Sequence, residues 1–308
     1  MYANLVMSDV LFTFLVVLAI WLLTDIDGAP AAVRAGAAGT IVSLASAVRP
    51  LGAAIVVPAA IALALRRARL SAVAAFTAAA LLFPLAWVVR NGVRTGVWAL
   101  SSAFDYNLCL VAAAKVKAQA EGISRATAER VLVNEAMRSS PGADAAARVR
   151  AFRRVGYATL RRHPLTTLRE IGASTLETGL AGERRNLLLL FGAGGGATVT
   201  LGEMTRSPRV ALTELAESPP LERALVIGQA GWNAAVWVAC ALGVWRLARC
   251  RRGADLALYG LTVVAVLGPS LVVGTGRMRM PVSPMIAGLA AAGVWGLARR
   301  RDPARGAG

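Results

Sequence analysis

Four arginines lie in short turns between apolar runs, each close to a proline or an asparagine: Arg49, Arg90, Arg277 and Arg279. A guanidinium group can bind a phosphate through two parallel N–H donors, and this contact strengthens away from water. Two acids, Asp9 and Asp105, lie near the same turns, and a carboxylate beside an acceptor hydroxyl can act as a general base. These residue types predict chemistry on a phosphate-bearing substrate. The alternatives are that each arginine only reaches lipid head groups and that each acid only ends or caps a helix.

The composition places these residues in a membrane protein. Of 308 residues, 56% are hydrophobic and 17% are charged, whereas soluble domains are about 45–50% apolar and about 25% charged. The apolar residues form seven runs, at 10–24, 31–48, 51–65, 70–89, 224–245, 255–274 and 282–298. We therefore predict an all-α, polytopic transmembrane helix bundle. The second and third runs are short and are joined only by Arg49-Pro50, so they are either two short spans or a broken, re-entrant pair.

The chain divides into three predicted parts. Residues 1–90 hold the first membrane segments, 91–222 form a mostly helical extracytoplasmic insertion, and 223–308 hold the last segments with a basic cytoplasmic tail. Within the insertion, charged and apolar residues alternate at helical spacing over 118–138 and 144–162. Residues 165–180 either lie along the membrane surface or form a packed helix. The glycine-rich run 192–196 is predicted to be a flexible linker.

Basic loops set the predicted orientation. Arginines cluster at 66–69, 246–252 and 299–305, and all three clusters fall on one side if the seven runs all cross. The positive-inside rule assigns that side to the cytoplasm, in a multi-pass protein of a bacterial cytoplasmic membrane. The four arginines named first then lie on the opposite side, where this rule does not explain them. The net charge of +17 thus points to membrane lipid, and nucleic acid is not an expected partner because no groove-reading motif is present.

Five stretches together resemble a known family of membrane enzymes. They are SDVLFTFL at 8–15, the segment 39–52 that ends in Arg-Pro-Leu-Gly, PLAWVVRNGVRTG at 84–96, Tyr-Asn-Leu at 106–108 and GRMRMPVSP at 276–284. Their order and spacing are similar to those of the C-type polytopic glycosyltransferases, of the protein O-mannosyltransferase and aminoarabinose-transferase type. The resemblance touches most of the chain but is thin between 111 and 222.

The resemblance implies an enzyme that moves a sugar from a polyprenyl-phosphate carrier to a glycan, lipid or protein acceptor at the extracytoplasmic face. It implies that Arg90, Arg277 and Arg279 contact the carrier phosphate, with Arg49 a further candidate. It also implies that three neighbouring side chains line the substrate pocket: Trp87, Asn91 and Asn107. No metal and no cofactor are predicted.

The chain departs from the family at its start. Members carry a catalytic carboxylate in the first extracytoplasmic loop, and Met1 here corresponds to the middle of their membrane domain. We therefore expect a fragment or a diverged form, in which resemblance does not assign the general base. Three other functions stay open. They are a transporter or flippase for an anionic lipid-linked substrate, a non-catalytic remnant, and an enzyme with O-antigen-ligase-like chemistry.

Overall fold

The computed structural model describes residues 2–24, 31–140, 142, 144–180, 209, 213, 216–217, 219–268 and 282–301. These ranges are helices and connecting turns and contain no β-strand, which confirms the all-α prediction for the described chain. The chain divides into two compact units. Unit 1 comprises Met1–Pro84, Ala224–Gly268 and Arg277–Gly308, and unit 2 comprises Leu85–Arg223 and Pro269–Gly276.

The described helices are α1 (Tyr2–Thr24), α2 (Ala31–Val48), a 3-10 helix (Pro50–Ile55), α3 (Val56–Leu65), α4 (Leu70–Thr95), α5 (Ala103–Asn107), a π-helix (Leu108–Ala113), α6 (Ala114–Glu121), α7 (Arg125–Arg138), α8 (Ala145–Arg162), α9 (Pro164–Leu180), α10 (Pro220–Arg249), α11 (Gly253–Leu256), a second π-helix (Ala257–Leu261), α12 (Thr262–Leu267) and α13 (Ser283–Arg301). Each described part of the seven predicted apolar runs is mainly helical. Apolar runs favour helix because a helix satisfies its own backbone hydrogen bonds inside an apolar environment.

Three of these helices are long and apolar enough to cross a membrane, by length and composition: Ala31–Val48, Leu70–Thr95 and Arg223–Arg249. Four apolar stretches in the described chain are shorter, namely Ser8–Thr24, Pro50–Leu65, Gly253–Leu267 and Ser283–Val294. A crossing of the hydrocarbon core takes about 20 residues on average, with a range of about 17–25. The seven-span arrangement therefore stays a prediction.

Close helix packing in unit 1 depends on glycines. A Cβ atom on Gly39 of α2 would collide with the Phe76 carbonyl of α4. A Cβ atom on Gly243 of α10 would collide with the Leu289 carbonyl of α13, and Gly293 of α13 approaches α10 equally closely. Small residues at such crossings let two backbones approach, which is the usual packing of helices within membranes. Around them lies one apolar core, whose largest fully buried side chains include Phe12, Phe76 and Leu258.

Unit 2 is a smaller helical cluster around Cys109, Leu132 and Phe152. The predicted helix 144–162 is confirmed as α8. The Asp144 side chain caps the N-terminus of α8, because it accepts a 2.6 Å hydrogen bond from the Ala147 amide. The single helix predicted over 118–138 is wrong, because α6 ends and α7 begins within it. Gly122 ends α6 in the left-handed conformation, at φ 65°, and the Ser124 side chain caps α7.

Helix α9 contacts α6 and α8 within unit 2, and Leu165 and Leu168 on it are exposed. A position along the membrane surface stays a prediction. The predicted glycine-rich linker 192–196 lies outside the described residues.

Candidate functional site

Two predicted site residues from different helices form an ion pair in unit 1. Asp9 lies on α1 within a run of apolar residues and is only 1% exposed. Its carboxylate pairs with the Arg49 guanidinium, whose side chain is 22% exposed. A charged carboxylate among apolar helices is costly unless an opposite charge accompanies it. The pair therefore joins a predicted general base within α1 to a predicted phosphate ligand.

The local backbone explains why Arg49 lies at this position. The proline at position 50 disfavours helix for the residue before it, and Arg49 is extended, with φ −143° and ψ 128°. Helix α2 therefore stops at Val48, and the chain restarts as the 3-10 helix at Pro50. A Cβ atom on Gly52 would lie 2.6 Å from the Ser46 nitrogen, so this tight return accepts only glycine. The helix is therefore interrupted at Arg49-Pro50, where the sequence predicts either two short spans or a broken, re-entrant pair.

A second arginine contacts the C-terminal end of α1. The Arg66 Nη1 donates to the carbonyl oxygens of Leu23 and Thr24, at 3.0 and 2.7 Å, and its Nη2 donates to Asp255 Oδ1 at 2.6 Å. The 15 residues from Asp9 to Thr24 span about 22 Å of helix at 1.5 Å per residue. Arg49 and Arg66 therefore contact α1 at two levels about 22 Å apart, and the segment Pro50–Leu65 connects the two levels.

In unit 2, three predicted residues form one exposed group on α4. The Arg90 guanidinium lies 4.4 Å from the centre of the Trp87 ring and donates a 3.2 Å hydrogen bond to Asn91 Oδ1. Asn91 in turn donates from Nδ2 to the Ala99 carbonyl at 3.0 Å. The indole face orients the guanidinium through a cation–π contact. The group thus presents a held but solvent-accessible cation, which suits the binding of an anion.

Asp105 in unit 2 pairs with an arginine that is not among the predicted site residues. Both of its oxygens accept hydrogen bonds from Arg153 on α8, at 2.6 Å from Nε and 2.9 Å from Nη2. Asp105 is 2% exposed, and its hydrogen bonds and charge raise the pKa of Arg153. The N-cap of α5 is Ser102, so Asp105 is not the helix cap that the sequence left open. Asp105 instead forms an ion pair that links α5 to α8.

The remaining predicted residues are not gathered into these groups. Asn107 is the exposed last residue of α5. Arg277 and Arg279 lie outside the described residues. Arg49 and Asp9 belong to unit 1, whereas Trp87, Arg90 and Asn91 belong to unit 2.

Three residues with defined contacts were not predicted as site residues: Arg66, Arg153 and Asp255. Arg66 and Asp255 are 189 positions apart, and Arg153 and Asp105 are 48 positions apart. No spacing rule links residues at such separations. One signal was available, since an acid beside a basic cluster at the start of an apolar run needs a partner.

The described residues contain no group of three or more His, Cys, Asp or Glu side chains that could hold a metal ion. In comparisons with known proteins, the chain matches no family model, no curated protein and no solved structure at a significant level. The resemblance to polytopic glycosyltransferases therefore rests on the motifs quoted above.

Proposed function

We propose that this protein is a membrane glycosyltransferase that takes a sugar from a polyprenyl-phosphate donor and passes it to an acceptor at the extracytoplasmic face. The observation that carries the proposal is the Asp9–Arg49 pair. Ionisable residues inside apolar helices are rare, and they usually mark a substrate or ion site. Here the pair lies at a helix break that matches an Arg-Pro motif of the family that the chain resembles.

The pair can serve a phosphate group in a direct way. A guanidinium carries five N–H donors, so Arg49 can hold the Asp9 carboxylate and a phosphate oxygen together. Asp9 then acts as a positioning residue, because it fixes the plane of the guanidinium. As the glycosidic bond breaks, the leaving polyprenyl phosphate gains negative charge, and Arg49 stabilises it. The general base stays unassigned, because Asp9 pairs with Arg49 and Arg153 occupies both oxygens of Asp105.

Arg90 supplies a second cation in the proposal. It is exposed, and Trp87 and Asn91 hold its guanidinium in place. Such an arrangement lowers the entropy that an arginine loses when it binds an anion. Arg90 also lies within the α4 motif at 84–96 that resembles the family. We propose that it contacts the same class of phosphate as Arg49, together with Arg277 and Arg279.

The experiment measures the lipid-linked sugar donor in cells. We expect a strain from which the gene is deleted to accumulate a polyprenyl-phosphate sugar, detected by mass spectrometry of the lipid extract, and the wild-type gene to remove it. Arg49→Ala should lower the turnover about 10²–10³-fold, as is typical when one electrostatic contact to a transition state is lost. Arg69→Ala, at the opposite end of unit 1, is the matched control and should restore normal levels. An unchanged lipid profile in the deletion strain contradicts the proposal.

One observation favours a second function, the transport of an anionic lipid-linked substrate. The break between α2 and α3 is the kind of discontinuous helix that transporters place at their binding sites. Sidedness separates the two functions. A missing transferase leaves the donor on the outer leaflet, where added periodate oxidises it in intact cells, provided that the sugar carries vicinal hydroxyls. A missing flippase leaves the donor on the cytoplasmic leaflet, where periodate reaches it only in inverted vesicles.

A further inference from the structure

Two helices of unit 1 end in the same motif, and in both an arginine takes the position that glycine normally fills. At the end of α3 the Ala68 amide donates to the Leu63 carbonyl and the Arg67 amide to the Ala64 carbonyl. At the end of α10, Arg252 donates in the same way to Leu247, and Arg251 to Ala248. Both are Schellman motifs, whose left-handed residue is usually glycine.

The two left-handed residues are Arg67, at φ 55°, and Arg251, at φ 56°. A side chain other than glycine is strained in this conformation, because its Cβ approaches the following carbonyl. Strain that persists is a reason to look for a function of the side chain. Arg251 also lines a cavity of unit 1, and Arg67 does not line that cavity.

That cavity has a volume of about 730 Å³ and a basic wall. Arg66, Arg251 and Arg252 line it, against a single acid, Asp255. The Arg66 guanidinium already donates hydrogen bonds to Asp255 and to the carbonyl groups at the end of α1. Arg252 is 69% exposed and lies 3.8 Å from Asp255, and Arg251 is exposed as well. The cavity therefore offers two accessible guanidinium groups to an anion.

A second cavity, of about 540 Å³, adjoins the first. The two share Leu65, Gly253 and Leu289 in their walls. The second cavity is apolar, and it runs past Trp237 and Val264 on neighbouring helices. Both volumes fall in the range of about 300–1,000 Å³ that is usual for small-molecule sites. An anionic compartment next to an apolar one fits a ligand with a charged head and a hydrocarbon tail.

We propose that these two cavities form a binding site for one anionic phospholipid. The phosphate head group contacts Arg251 and Arg252, and an acyl chain occupies the apolar cavity beyond Gly253. Basic pockets between membrane helices bind anionic head groups by this combination of charge and burial. The inference depends on insertion of unit 1 into a membrane and is independent of sugar transfer, because none of the predicted donor-binding arginines belongs to the site.

Native mass spectrometry of the detergent-purified full chain tests the head group. We expect retention of added phosphatidylglycerol over phosphatidylcholine with the same acyl chains. Arg251→Gly should lower the affinity for phosphatidylglycerol about fivefold, the value of one basic residue near an anionic head group. It should also raise the thermal unfolding temperature, because glycine relieves the strained position. Arg67→Gly is the matched control, and it should raise the unfolding temperature without any change in lipid retention.

A second set of variants tests the tail and guards against misfolding. Arg252→Gln leaves the backbone untouched and should weaken phosphatidylglycerol binding as Arg251→Gly does. Gly260→Leu places a side chain in the apolar cavity, where a Cβ atom would make an ordinary 3.5 Å contact with Leu256. It should weaken phosphatidylglycerol binding but not that of sn-glycerol 3-phosphate, which has no tail. Any one of three results overturns the proposal. They are an equal loss of phosphatidylglycerol retention in Arg67→Gly, unchanged retention in Arg251→Gly and Arg252→Gln, and full displacement of the lipid by equimolar inorganic phosphate. A normal donor profile in the deletion strain would leave this result unaffected.

Discussion

Arg153 donates to both carboxylate oxygens of Asp105, at 2.6 and 2.9 Å, although 48 residues separate the two in the sequence. The contact ties α5 to α8 beside the small apolar core of unit 2. Asp105 is buried while the Arg153 side chain is 51% exposed. The acid therefore depends on this arginine more than the arginine depends on the acid, because only the acid has lost contact with water.

The first prediction concerns the stability of unit 2. Arg153→Ala should lower the free energy of unfolding by about 1–3 kcal/mol, because it leaves a buried carboxylate without its donor. Arg153→Lys should have an intermediate effect, since an ammonium group cannot make the two-pronged contact. Thermal unfolding of the full chain in detergent, followed by circular dichroism, measures both variants. Arg154→Ala removes an exposed neighbour on the same helix as a control. Equal destabilisation by Arg154→Ala would count against a specific role for the pair.

The Asp105–Arg153 pair marks a limit of prediction from the sequence. The sequence indicates two roles for Asp105, general base and helix cap. The partner could not be named, because helix periodicity assigns residues to faces within one helix and says nothing of which distant helix packs there. The same limit applies to Arg66 and Asp255. In contrast, Asp9 and Arg49 were both named, since each interrupts an apolar run and stands out by type alone.

The second prediction concerns Cys109, a fully buried thiol in the core of unit 2. Burial, with a smaller contribution from Glu135, raises its pKa from 9.0 to about 11. Between these two values the unfolded chain loses the thiol proton first, so unfolding is favoured as the pH rises. The contribution of the buried thiol to the free energy of unfolding is fully present below pH 9. It falls by about 2–3 kcal/mol as the pH rises towards 11.

The measurement is the difference in unfolding free energy between the wild type and Cys109→Ala from pH 8 to pH 11, since lysines and tyrosines titrate equally in both. The difference should shrink as the pH rises. A pH-independent difference would contradict the raised pKa. At pH 8 the folded protein should also resist alkylation at Cys109, while the exposed Cys250 reacts.

The third prediction concerns orientation. Arg49 contacts α1 at Asp9 and Arg66 contacts it at Thr24, and Cys250 follows the basic end of α10. A membrane-impermeant maleimide should therefore label Cys250 only in inverted vesicles. Pro50→Cys, in a Cys250→Ser background, should be labelled in intact cells. Labelling of both positions from the same side would refute the placement of Arg49 on the extracytoplasmic face.

The extent to which the fold was predictable follows from what apolar runs encode. An apolar run specifies α2, and charged and apolar residues at helical spacing specify α8, so both helices match their predicted bounds to within one residue. A single residue in the left-handed conformation can end a helix without disturbing the spacing of apolar residues. Gly122 ends α6 in this way, inside the stretch 118–138 whose spacing is helical throughout. Crossing a membrane is a further property. It depends on how much apolar length faces lipid, and Ser8–Thr24 and Pro50–Leu65 are near the lower limit for that.

The fourth prediction separates structure from function in the Asp9–Arg49 pair. Arg49→Ala should destabilise the protein by about 3 kcal/mol, because it leaves the buried Asp9 carboxylate without its counter-charge. The double variant Asp9→Leu with Arg49→Met replaces the pair by apolar side chains and should unfold near the wild-type temperature, as such replacements often do. If Arg49 binds the donor phosphate, this stable double variant should still fail to clear the accumulated lipid-linked sugar. Normal clearance by the double variant would show that the pair serves only packing, and Arg90 would then be the remaining described cation with an assigned phosphate role.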